Sequence, residues 1–231
     1  MKRADHHLNL AETPIIADRI LRNYKRDRSF FEHYSPKFNN EFLVHFEEKV
    51  DRLFHLTPLQ VLEKEVAEKT EKILIVINHI RPLVNITEVL LLKAAYEPGL
   101  SDVNLSINQL RESLNKKSVW EIQRNCRRIV NQLEFHIEEL IDKGFILRIL
   151  DDYYLLIGKL KKCEIELADV THRRDMIANE YLMVNTQLKD VVETIIESIP
   201  DALGENNTDK RDEYSIEKLM IQAQFRRSES H

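Results

Sequence analysis

The chain has 231 residues, 43% of them hydrophobic and 32% charged, with a formal net charge of −5. That length suffices for a sizeable core in one domain or two, and the negative balance argues against non-specific nucleic-acid binding over the whole surface. With only four glycines and six prolines, turns are few and the elements between them long, and a glycine-rich phosphate cradle is excluded.

The chain opens with "MKRADHHLNLAETP", which has no apolar h-region of a signal peptide. Residues 1–12 are read as disordered. Two cysteines fit a reducing compartment, and a cytoplasmic setting is expected. Thr13-Pro14, Ser35-Pro36 and Thr57-Pro58 then recur every 22 residues. A Ser or Thr side chain accepts from an orphan N–H at a helix start, and proline at the next position sacrifices an N–H that lacks a partner anyway. The pairs predict helices near 14–33, 36–56 and from 58 towards 96. On the second, Phe38, Phe42, Phe46, Val50 and Phe54 recur every four residues, a stripe that reads as core rather than a cofactor box.

The third helix carries the apolar run Ile73–Ile77, then Pro82, where a kink is expected. The segment from Ile73 to Ala95 includes Asn78, His79, Arg81 and Glu88 and reads as too polar for a membrane span. "EPGLSD" at 97–102 predicts a turn, and 102–115 a short helix. A fifth helix runs from Ser118 to a stop at Gly144, with the stripe Val119, Ile122, Cys126, Ile129, Leu133, His136, Leu140. A sixth, from Phe145 to Ser198, would be about 80 Å long at 1.5 Å per residue. Its a/d positions run from Ile146 to Ile195 with one charged exception, Arg174. If the chain reverses at Lys143-Gly144-Phe145, residues whose numbers sum to 289 face each other, Cys126 with Cys163 and His136 with Tyr153 among them.

These elements predict an all-α fold: an elongated antiparallel helical bundle, built as two four-helix bundles end to end that share two long helices. Residues 13–81 plus 175–199 form the first bundle and 82–174 the second, with Pro82 and Arg174 at the junction. Residues 200–212 are a linker, and 213–231 a short C-terminal helix and tail.

Candidate sites are few. His136, with Tyr153 opposite and Asp152 beside it, is a candidate polar core pair, because an imidazole that loses hydration needs a partner. The reading favours a structural pair that fixes register over a proton-transfer group. Arg19, Arg22 and Arg26 share a helical face that could meet phosphates, acidic partner helices or solvent; Arg124, Arg127 and Arg128 in "RNCRR" are similar. Glu41, His45 and Glu48 share a face but flank the aromatic stripe, and Asp169 and His172 form no repeated Glu-x-x-His motif of a di-iron bundle. No metal or cofactor site is assigned.

The stretches "FFEHYSPKFNNEFLVHFEEKVDRL", within residues 14–56, and the long helix after "DKGF", over 144–198, resemble uncharacterised bacterial all-helical proteins. The resemblance implies a helical fold and a bacterial setting, and it brings no activity and no functional residue. The expected function is a non-enzymatic interaction or structural protein, whose partner is another protein or a second copy, away from membranes. The alternatives are a nucleic-acid-associated protein using the basic face of the first helix, and a small-ligand or metal binder in the bundle.

Overall fold

The computed structural model describes residues 13–93 and 100–221. The expected disordered segment 1–12, part of the expected turn at 97–102 and the tail from 222 lie outside the described residues. Among the described residues the fold is all-α, without a strand. The helices are α1 (Thr13–Tyr34), α2 (Asn40–His55), α3 (Leu59–Lys93), α4 (Leu100–Lys116), α5 (Val119–Phe135), α6 (Ile137–Asp142), α7 (Arg148–Leu203) and α8 (Thr208–Glu213), and residues 216–221, inside the expected C-terminal segment, are helical as well.

The chain divides into two compact units: the chain up to Pro58 together with that from Asp175, and Leu59–Arg174 between them. Within the first half of the chain the boundary falls after Pro58, not at Pro82. The reason lies in the apolar run of α3: Ile73, Val76, Ile77 and Ile80 are buried with Ile107, Ile122 and Tyr153 of the middle unit.

In the middle unit, α3 runs antiparallel to α4, since Arg111 of α4 reaches Glu88 at 2.6 Å and Arg81 of α3 reaches the Leu114 carbonyl at 3.1 Å. It also runs antiparallel to α7, through Lys69–Glu166 at 2.7 Å and Arg173–Glu65 at 2.8 Å. Gln123 donates to Glu164 at 2.9 Å and Tyr154 to Glu134 at 2.7 Å. Those pairs sum to 287 and 288, close to the expected register. Both cysteines are free thiols, Cys126 buried and Cys163 part-buried against the same core; burial pushes the Cys126 thiol up to about 12. Gly144, at φ +85°, stops α6 in a Schellman motif: the N–H of Phe145 reaches the Leu140 carbonyl at 2.8 Å and that of Gly144 the Ile141 carbonyl at 2.9 Å.

The other unit is built on aromatic packing. Tyr24, Phe31, Phe38 and Phe46 are fully buried with Val184, Leu188, Val192 and Ile195 of α7. Ring centroids lie 5.2 Å apart for Tyr24–Phe31, 5.3 Å for Phe31–Phe38 and 5.1 Å for Phe38–Phe42, edge-to-face geometries that aromatic quadrupoles favour. The expected stripe is corrected at both ends. Phe38 precedes α2, which starts at Asn40, because Asn39 is the cap: its Oδ1 accepts from the Phe42 N–H at 3.0 Å. Ser35-Pro36 forms a turn instead. At the other end Leu53 is buried, while Phe54 is 59% exposed. The partners of this stripe are α1 and α7.

Further differences concern helix ends. The fifth predicted helix is broken at His136, whose φ of −107° and ψ of 18° separate α5 from α6; periodicity does not register such a break without proline or glycine. The long helix runs past Pro200 to Leu203 and stops at Gly204, φ +67°, whose N–H returns to the Pro200 carbonyl at 3.2 Å. The expected linker at 200–212 therefore contains the end of α7 and all of α8 but its last residue, Glu213, and Tyr214 and Leu219 beyond it are buried in the aromatic core. Pro82 lies inside α3. By length and composition a window of mean hydropathy 1.4 within residues 40–93 could cross a membrane, and 39% of it is buried in the fold.

Candidate functional site

The two basic clusters of the sequence have different fates. On α1, Arg22 pairs with Asp18 one turn earlier at 2.8 Å, and Arg26 with Asp27 and Glu213, each at 2.6 Å. Arg19 lies beside Arg22, Asp209 and Asp212 at a shallow depression. The face is thus laced with carboxylates, several brought by the C-terminal segment.

At its base is Asp27, a fully buried carboxylate. It accepts from Arg26 Nη2 at 2.6 Å, Lys210 Nζ at 2.9 Å and Tyr214 Oη at 3.4 Å. Burial alone would raise its pKa, but the two cations outweigh that cost and hold the carboxyl below its ordinary value. Tyr214 moves up, through its own burial and the adjacent Asp27 charge. Lys210 also lies 4.4 Å from the Phe30 ring centroid. The cluster fastens the C-terminal segment to α1.

The second cluster lies on the outer face of α5. The inner face of this helix, Ile122, Asn125, Cys126, Ile129, Val130 and Leu133, is buried. That burial turns Trp120, Arg124, Arg127, Arg128, Asn131 and Phe135 outward. They line a groove of about 740 Å³, with Asp102 and Val103 of α4, Gln123, Gln132 and His136 completing its wall. Trp120 is 63% exposed and Phe135 84%. The Arg124 guanidinium stacks 4.8 Å from the Trp120 ring centroid. Arg128 donates to the neutral Gln109 Oε1 at 2.7 Å. Arg127 makes no hydrogen bond or ion pair among the described residues, and none of the three guanidiniums has a carboxylate partner there. The Oε1 of Gln132 is buried without a hydrogen-bond partner among the described residues. Trp120 and Phe135 are fifteen positions apart, about 22 Å along a helix.

The expected polar core pair is not assembled as predicted. The Tyr153 hydroxyl is fully buried and meets Thr87 Oγ1 at 3.2 Å. His136 is part-buried at the α5–α6 break, its ring 4.8 Å from that of Phe135, and Asp152 is part-buried on α7. The Tyr153 hydroxyl thus has Thr87 as its polar partner, where the register assigns it His136. Glu41, His45 and Glu48 are exposed, as are Asp169 and His172. Among the described residues no three His, Cys, Asp or Glu side chains are grouped to hold a metal ion.

Sequence reasoning found the arginines of α5 and missed the aromatics. The signal was present: positions 120, 124, 127, 131 and 135 fall within a narrow arc at 100° per residue. Comparison with models of known families, with curated proteins and with solved structures finds no match.

Proposed function

We propose that this protein is a non-enzymatic helical interaction protein and that the α5 groove is the face it offers to a partner. The observation that carries this is the row of guanidiniums without carboxylate partners among the described residues, ended by two exposed aromatic rings. Trp and Arg dominate interface energetics, since each combines a large contact area with directional polar groups. The lining offers stacking, charge and amides rather than an activated nucleophile. The same reading takes the fold as antiparallel four-helix bundles joined through the long helices, places the protein in a bacterial cytoplasm and makes no use of a membrane. The alternative that rests on the basic face of α1 is weakened by the ion pairs of Arg22 and Arg26.

The test is site-specific photocrosslinking in cells. A photoreactive residue at Trp120 or Phe135 should give discrete adducts, and one at Leu182, exposed on α7, should not. Equal or absent crosslinking at all three positions would remove the groove from consideration.

A further inference from the structure

Resting on that reading, we infer that the partner of the α5 groove is an acidic segment of a protein, carrying carboxylates between two apolar side chains. Charge comes first. Among the described residues the groove is lined by three arginines and one carboxylate, Asp102, in a chain whose net charge is −5. An anionic ligand is drawn to this patch, while a long polyanion extending past it meets the negative remainder of the surface. The cations are all arginine, whose planar fork matches a carboxylate in a bidentate manner.

Geometry comes second. Trp120 and Phe135 stand at the ends of the row, about 22 Å apart along the helix. The arginines lie between them. An acidic segment four helical turns long covers that distance. It places an apolar residue on each ring and its glutamates against Arg124, Arg127 and Arg128. Gln123, Asn131 and Gln132 line the same groove and supply amides for its remaining polar groups.

Trp120 is the only tryptophan in the chain, so its fluorescence reports on the groove directly. The full chain is titrated with a synthetic four-turn helical peptide that has leucine at both ends and glutamates on the same face between. Saturable change in Trp120 emission that weakens with added salt is the expected result. The double variant Arg124→Gln, Arg127→Gln should bind this peptide at least about tenfold more weakly. Both positions are exposed, so helix content by circular dichroism should be unchanged. The variant Arg124→Glu, Arg127→Glu should exchange its preference to the same peptide with lysine in place of glutamate. Tighter binding of a single-stranded oligothymidylate than of the acidic peptide would overturn the inference in favour of nucleic acid. Photocrosslinks at Trp120 with no response to the acidic peptide would overturn the acidic chemistry and leave the groove standing; loss of both would remove the groove itself.

Discussion

At the scale of single residues, Asp27 carries the most consequence. A buried carboxylate is tolerated only when cations and donors replace its hydration. Here Arg26, Lys210 and Tyr214 do so. Asp27→Asn keeps the shape and removes the charge, and should lower stability to urea at neutral pH by about 1–3 kcal/mol, a figure reduced because Arg26 and Lys210 remain partly in water. The sign of the pH dependence follows from the lowered pKa. The charged form is favoured by folding, so the contribution is complete above the ordinary value of 3.8 and is lost as pH falls through the folded value. Wild type and variant should therefore differ at neutral pH and converge in acid. Nothing in the sequence around Asp27 distinguished it, since two of its partners lie 183 and 187 residues further along.

At the scale of elements, much of the helix plan was legible because capping and stopping are local chemistry. Thr57-Pro58 stands immediately before α3, and Gly144 ends α6 as its freedom at positive φ allows. Ser35-Pro36 failed as a start because Asn39 is a better-placed cap and the turn carries Phe38 into the core, where the Tyr24 hydroxyl donates to its carbonyl at 3.2 Å. The groove was half legible: charge clustering identified the arginines, but the aromatics acquire meaning only once the inner face of α5 is buried. Pro82 offers a test of helix energetics. It is exposed and inside α3, so its cost is a missing backbone hydrogen bond and ring crowding against the preceding turn. Pro82→Ala should raise stability by about 1–3 kcal/mol, read as a higher urea midpoint at unchanged slope.

At the scale of the whole molecule, the division of the chain leaves a trace on α7. None of the thirteen residues from 171 to 183 is buried, whereas Val184, Asn185, Leu188, Val191, Val192 and Ile195 all are. Amides in helical segments with few buried contacts open at lower free energy than those over a core. Hydrogen exchange followed by mass spectrometry should therefore show peptides from 171–183 exchanging faster than peptides from 184–199; equal protection would mean that the stretch is held by something other than core packing.

The order in which the chain is made gives the Asp27 cluster a further meaning. The unit Leu59–Arg174 is one uninterrupted run, while its companion is assembled from two distant pieces. On a ribosome, α1 emerges first with Asp27 lacking Lys210 and Tyr214. The middle unit can complete itself in the meantime. At about 5–20 residues per second, some nine to thirty-seven seconds separate the appearance of Asp27 from that of Lys210. Over that interval the apolar stripe of α1 and α2 is exposed without α7, and that is the stage at which a chaperone would find a binding site on this chain.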